Sequence, residues 1–304
     1  MSRLRAGAAV DGNSDPKTAN SVTLSILIPA FRYAEGVQRI LERLRSGAAI
    51  AYEIIVFDDS DGSEVLDTVT SWIAQTGLAV TYRKNSPALG APANWNALID
   101  AASGQYCLLL HHDEIPLSER FVDSIVGKLR RDSTVDVLVL DCVLVNDKLS
   151  RVRRHLPNWF RNFVITRAPS YLFRRNVIGP TSTLVVRRSL YPKFDMALRW
   201  LVDVEAYVRL FGTAKHVSFC PRLVMGSLLR RRESITSEIK PVLRELARKE
   251  RDYLRERYPE AHVWLGSGRG SSLSTGFLRV CESVLWIVFR SALRAQAVLA
   301  RSMN

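Results

Sequence analysis

The sequence predicts an α/β fold: a mostly parallel sheet flanked by helices, with a helical C-terminal extension. Three features predict it. Between residues 22 and 140, short apolar runs alternate with stretches whose apolar side chains recur at three- and four-residue spacing. The short runs are mostly apolar and read as buried strands, and their alternation with helices points to a parallel sheet covered on both faces. Each run ends abruptly in polar or charged residues, and in such sheets ligands bind at the carboxyl ends of the strands.

The elements follow in order. Residues 1–21, short of bulky apolar side chains, read as a disordered tail. Residues 22–30 form a buried strand stopped at Pro29-Ala30-Phe31, and Val37, Ile40, Leu41 and Leu44 then mark a helix. A second strand over 52–57 runs into Asp58-Asp59-Ser60-Asp61-Gly62. Val65, Leu66, Val69, Trp72 and Ile73 mark the next helix, and residues 79–82 a third strand ending in Arg83-Lys84-Asn85. A helix over 94–102 stops at Gly104, and the strand over 106–110 leads into His111-His112-Asp113-Glu114. A helix at 121–129 and a strand at 135–140 continue the alternation. Beyond residue 146 the pattern loosens into a basic stretch with Arg151, Arg153, Arg154, His155, Trp159, Phe160 and Arg161, which reads as a loop or lid. Order resumes with a strand over 183–187 and a helix over 202–211.

The tail divides in two. Residues 238–258 are a highly charged helix. After Gly/Ser-rich punctuation at 266–272, residues 277–303 are apolar but interrupted by Arg279, Arg290, Arg294 and Arg301, which fall near one helical stripe. The unbroken apolar run there, 284–289, is far short of the ~20 residues of a bilayer span. Two readings stay open: a helix lying on the inner face of the cell membrane with its arginines at anionic head groups, or one packed on the core or on a second subunit in a homodimer.

The 43 Lys and Arg outnumber the 30 Asp and Glu, giving a net charge of +13 and favouring an anionic partner. Nucleic acid is disfavoured, because no recognition-helix, zinc or RNP pattern is present and the arginines gather in the C-terminal half. Cys107, Cys142, Cys220 and Cys281 make no CxxC pair, which fits buried free thiols in a reducing compartment rather than a zinc site or disulfide framework. No apolar stretch of signal-peptide length opens the chain, so the chemistry is expected in the cytoplasm.

Two acidic groups stand where chemistry is expected. Asp113, flanked by Glu114 and preceded by His111, can hold a hard divalent cation such as Mg²⁺ or Mn²⁺ against a diphosphate; the alternative is a loop carboxylate capping the helix that follows. Asp58 and Asp59 can accept hydrogen bonds from a nucleotide's base or ribose, or one of them can cap the helix after Gly62.

The ordered set is more specific than any member of it. A strand with Pro-Ala-Phe, a strand with Asp-Asp-Ser-Asp-Gly, Asn85…Gly90…Asn94-Trp95-Asn96, Gly104-Gln105-Tyr106 and then the His-His-Asp-Glu cluster resembles family 2 glycosyltransferases over residues 24–115. A second block, Gly179-Pro180-Thr181-Ser182 with residues 200–210, resembles the acceptor-side segment of the same family. The resemblance implies a GT-A fold, with a Rossmann-like mostly parallel sheet, over 22–236, and an extension over 237–304. It implies inverting transfer of a sugar from a nucleoside diphosphate donor to a glycan or lipid-linked acceptor, with Mn²⁺ or Mg²⁺, in the setting of bacterial surface polysaccharide synthesis. Pro29, Ala30, Phe31, Asp58 and Asp59 would line the base pocket, with Asp59 on the base edge. Asn85, Gly90 and Asn94 would lie near the diphosphate and sugar, with His111 and His112 beside them and Arg231 gripping phosphate. Asp113 would be the metal carboxylate of the family's Asp-x-Asp motif, whose first aspartate is His111 here. Asp203 would deprotonate the acceptor hydroxyl, with Glu205 as the substitute; the local alternative is a carboxylate favoured at a helix N-terminus. The His111 departure also leaves open a non-catalytic partner or scaffold of the same fold.

Overall fold

The computed structural model describes residues 2–4, 22–45, 52–146, 149–154, 156–228, 241–265, 280, 283 and 284. The chain divides into two compact units, residues 1–250 and 251–304. The first begins with strands β1 (Ser2–Leu4), β2 (Leu24–Ala30), β3 (Tyr52–Asp58), β4 (Val80–Lys84) and β5 (Tyr106–Leu109). Helices α1 (Ala34–Arg43), α2 (Glu64–Thr76) and α3 (Ala91–Ala101) fill the connections. β2 lies parallel to both β3 and β5, and β3 parallel to β4. The chain therefore steps outward from β2 through β3 to β4, then returns to the other side of β2 for β5. That reversal opens a crevice beyond the carboxyl ends of β2 and β5, where sheets of this kind bind ligands.

Burial explains the apolar runs. All seven residues of β2 are buried. One face sets Leu24, Ile26 and Ile28 with Ile54 and Val56 of β3 into a core with Val37, Ile40 and Leu41 of α1 and Val65, Val69 and Trp72 of α2. The opposite face receives α3, which packs on β2 and β3. In the N-terminal segment expected to lack structure, Ser2–Leu4 pair antiparallel with residues 80–82 of β4. Pairing to an open sheet edge uses main-chain groups, so composition alone did not mark it.

The second half is less regular. β6 (Glu114–Pro116), α4 (Phe121–Arg131), β7 (Val137–Val145), β8 (Arg151–Arg154), α5 (Asn158–Arg167), β9 (Leu184–Arg187), α6 (Val202–Thr213) and β10 (Val217–Leu228) complete the sheet and its cover. β9 inserts antiparallel between β5 and β7, while β10 runs parallel to β7 and antiparallel to β6. The expected parallel alternation thus holds for β2 to β5. The sheet as a whole is mixed, in the order β1-β4-β3-β2-β5-β9-β7-β10-β6 with β8 beside β7. The stretch over 146–180 read as a loop or lid is also more ordered than expected, carrying β8, α5 and a 3-10 turn at Pro169–Phe173. Phe160, Val164, Tyr171, Leu172 and Phe173 are buried, and so is Arg161 between them. A buried arginine inside an apolar face is what hid the helical spacing.

The charged helix expected after residue 238 is α7 (Leu243–Arg257), whose Ala247, Glu250 and Leu254 are buried. The arginine-striped segment 277–303 lies, but for three residues, outside the described residues. Among those described, no helix is long and apolar enough to cross a membrane.

Candidate active site

The crevice floor is a polar network on the ends of β2, β3 and β4. Asp59 is 6% exposed. Its Oδ1 accepts from Asn85 Nδ2 (2.7 Å) and the Leu89 amide (3.1 Å), its Oδ2 from the Gly90 amide (2.9 Å). Asn85 also donates to Asn94 Oδ1 (3.1 Å), and Asn94 donates to the Phe57 carbonyl (3.2 Å). Asp59, Asn85, Gly90 and Asn94, far apart in sequence, therefore form one unit that sets the loop 85–90 against the start of α3. Gly90 stands at φ 80°, ψ 160°, a backbone region open essentially to glycine. Asp58 faces inward: its Oδ1 accepts from the Ser60 amide, its Oδ2 from the Tyr82 hydroxyl (both 2.8 Å), and Lys84 Nζ lies 3.6 Å away. Pro29 and Ala30 are buried at the end of β2, with Phe31 half-buried beyond them.

Beside this floor, β5 ends and the chain turns through His111, His112 and Asp113 before β6. Glu114 Oε2 accepts from the His111 amide (3.2 Å), and the Leu228 amide donates to the Asp113 carbonyl (3.0 Å). One donor atom each from His111, Asp113 and Glu114 lie within 4.8 Å of one another. The His111 ring stacks on Trp95 (centroids 4.8 Å apart, planes at 27°), with Nε2 3.3 Å from Thr181 Oγ1. Thr181 reaches this point because β9 runs antiparallel to β5 and so starts at the crevice end. Burial lowers the His111 pKa to about 4, which keeps the imidazole neutral, the form that ligates metal. Burial, then the neighbouring Asp113 charge, raises Glu114 well above the usual carboxylate range. The Asp113 carboxylate, the neutral His111 imidazole and the Glu114 carboxyl, which a bound cation would ionise, fit a divalent cation of the Mn²⁺ or Mg²⁺ kind, the nitrogen suiting Mn²⁺ better. His112 turns away, edge-on to Tyr33 (5.7 Å, 78°). Helix α1 comes close here because residue 36 is glycine: a Cβ there would stand 2.1 Å from the His112 carbonyl oxygen.

A third carboxylate lies in the first turn of α6. Asp203 Oδ1 accepts from the Val204 amide (2.8 Å), and Oδ2 from Asn176 Nδ2 (3.1 Å). Asn176 is itself fixed, its Oδ1 accepting from the Ile178 and Gly179 amides (3.0 Å each) in an Asx turn. Burial pushes the Asp203 carboxyl up to about 6 against these hydrogen bonds. Glu205, the substitute base, is fully buried and ion-paired to Arg209 Nη2 (2.6 Å), so it belongs to the interior.

The profile of Glycosyl transferase family 2 matches residues 25–193, more than half of the chain. The chain belongs to glycosyl transferase family 2. Within this family 2 setting, the abequosyltransferase RfbV of Salmonella typhimurium is 22% identical over 156 residues, taking in 51% of this chain and 45% of that protein. The match thus spans about half the length of that relative. Among solved structures, the mannosyltransferase PcManGT from Pyrobaculum calidifontis, in complex with GDP-Man and Mn²⁺, superposes with a TM-score of 0.56 at 15% identity. It covers 95% of this chain and 81% of that one. S. aureus TarS 1-349 in complex with UDP gives a TM-score of 0.53 at 17% identity, covering 74% and 64%. At these identities the likeness is one of fold, and the fold is GT-A.

For this family 2 glycosyltransferase the structure gathers most of the expected residues at one crevice and separates a few. Asp59, Asn85, Gly90 and Asn94 form the floor; His111, Asp113 and Glu114 cluster beside it. Asp58 supports the floor from within and His112 faces Tyr33. Arg231, expected on phosphate, lies outside the described residues, three positions after Leu228. Sequence reasoning missed Asn176, whose only local signal was an Asn three residues ahead of a glycine. It also missed Glu250, which lies beyond the family match.

Proposed function

We propose that this family 2 enzyme transfers a sugar from a nucleoside diphosphate sugar, with inversion, to a hydroxyl of a glycan or lipid-linked acceptor in polysaccharide synthesis. The observation that carries the reading is the crevice at the reversal of strand order, with a metal-competent His111-Asp113-Glu114 cluster and a separately held carboxylate, Asp203, with a pKa near neutrality. The base end of the donor meets Pro29, Ala30, Phe31 and Asp59. The diphosphate and sugar extend past Asn85, Gly90 and Asn94, with Arg231 on phosphate. His111, Asp113 and Glu114 would hold Mn²⁺ or Mg²⁺; when bound, such an ion neutralises charge developing on the leaving diphosphate. Asp203 takes the acceptor proton as the hydroxyl oxygen attacks the anomeric carbon from the face opposite the diphosphate. The names of the relatives support the donor class: GDP-Man with Mn²⁺ in one structure and UDP in another.

The purified protein should be melted with UDP, dTDP, GDP and CMP, each with and without Mn²⁺. One nucleotide should raise stability by about 2.7 kcal/mol at a hundredfold excess over its dissociation constant, and only with metal. No shift with any nucleotide overturns the donor site. Peripheral attachment at the inner membrane face rests on the arginine-striped segment 277–303. Full-length protein should co-sediment with anionic liposomes and release as salt rises; a folded protein that ignores them ends that part of the reading.

A further inference from the structure

We propose that Glu250 is a positioning residue for the transfer step: its buried carboxylate fixes the main chain of residues 199–201 and thereby sets where Asp203 stands. The proposal rests on Asp203 as the base and extends that reading to a helix outside the family match.

Glu250 is 3% exposed. Its Oε1 accepts from the Arg199 and Trp200 amides (2.7 and 3.1 Å), and its Oε2 from the Trp200 and Leu201 amides (3.1 and 2.8 Å). These three consecutive N–H groups precede α6, whose first turn carries Asp203. A helix start leaves amides without helical partners, and a local Ser, Asp or Asn ordinarily meets one of them. Here the residue at that position is Leu201, which makes no side-chain cap. Glu250 meets the Leu201 amide at that position and the Arg199 and Trp200 amides just ahead of the helix, as a charge-assisted set of bonds that also suits the positive end of the helix; inside the first turn the Val204 amide is met by Asp203 Oδ1. A local serine would satisfy one amide and leave the segment free to swing. A carboxylate from another helix ties three amides to a fixed point.

Asp203 is thus held twice. Asn176 grips Oδ2 of its carboxylate, and Glu250 grips the backbone two to four residues before it. A misplacement of about 1 Å at a reacting group costs on the order of a hundredfold in rate, so the grip on the segment matters to the transfer step and not to the donor pocket. Donor binding draws on Asp59, Asn85, Gly90 and the His111 cluster, none of which touches Glu250.

The test uses the full chain with Glu250→Gln, which keeps side-chain volume and one acceptor oxygen, and Glu250→Ala, which removes both. Asp203→Asn is run alongside. Hydrogen exchange of the amides at 199–201 is measured together with nucleotide release from UDP-GlcNAc and GDP-mannose in Mn²⁺, and with UDP and GDP affinity. In Glu250→Gln the three amides should exchange about tenfold faster, nucleotide affinity and donor KM should stay within about twofold, and kcat should fall about tenfold; Glu250→Ala should fall about a hundredfold. Wild-type exchange at 199–201, or wild-type kcat with loosened amides, overturns the proposal. So does a loss of nucleotide affinity in step with kcat, which makes Glu250 a residue of general folding. An inactive Asp203→Asn beside a fully active Glu250→Gln removes the role of Glu250 alone. An active Asp203→Asn removes the base reading and this one with it.

Discussion

At the scale of single residues, Asp203 makes the sharpest prediction. Its carboxyl is raised to about 6 by burial, so it is protonated, and useless as a base, below that pH. Transfer should therefore rise with pH through about 6 and level off above it, measured as kcat against pH. Asp203→Asn should lower kcat about 10²- to 10⁴-fold and abolish that limb; a mutant keeping the same limb would assign it to another group. Gly36 makes a second prediction. An alanine Cβ there would press on the His112 carbonyl and the Tyr33 ring, and relief requires moving the turn that carries Asp113. Gly36→Ala should cost about 1–3 kcal/mol by denaturant unfolding and weaken Mn²⁺ binding followed by the ion's own relaxation signal. Gly90→Ala meets no atom within 4 Å, so its cost comes from φ alone, again about 1–3 kcal/mol. Metal affinity unchanged in Gly90→Ala but reduced in Gly36→Ala would separate backbone strain from displacement of the cluster.

At the scale of elements, Arg161 of α5 ties three pieces together. It donates to the Leu140 carbonyl on β7 (3.0 Å), the Ile178 carbonyl before the Gly179 turn (3.2 Å) and Asn158 Oδ1 (3.0 Å). Arg161→Met fills similar volume but leaves buried carbonyls unmet, at about 1–3 kcal/mol each; a melting temperature unchanged from wild type would show the tie to be dispensable. How much could be read beforehand differs by element. β2, β3 and β5 were legible because each is a mostly apolar run ended by polar residues, with Asp59 and Asp113 just beyond two of those ends; β4, Val-Thr-Tyr-Arg-Lys with alternating burial, was placed by the strand-helix order around it. β10 was not, because Pro221 and Arg222 interrupt it; the register shifts between Cys220 and Val224, where the proline sits. β9 could be placed as a strand but not given its direction, since four residues carry no signal of which neighbours they pair. Asn176 and Glu250 were illegible for a related reason: each acts on a partner 27 or more residues away through main-chain or carboxylate bonds, and nothing in local composition announces such a bond.

At the scale of the whole molecule, the sheet is two halves of different character joined by β9. The N-terminal half, from β2 to β5, presents the Asp59-Asn85-Asn94 network, and the second half brings Thr181 to His111 and carries the Asn176-Asp203 pair. Exchange of the second half between family members should therefore move acceptor preference while leaving nucleotide preference in place, as read by competition between nucleotides in the melting assay. The late arrival of β9 also has a consequence for biosynthesis. β5 ends at residue 109 and the strand that covers its free edge begins at 184. At ribosomal rates of roughly 5–20 residues per second, about 4–15 s separate the two. During that time Tyr106–Leu109, an apolar edge with unpaired amides, is open to any other strand that passes. The exposed β5 edge is thus a property of the growing chain rather than of the finished one, closed only once residues 184–187 have been made.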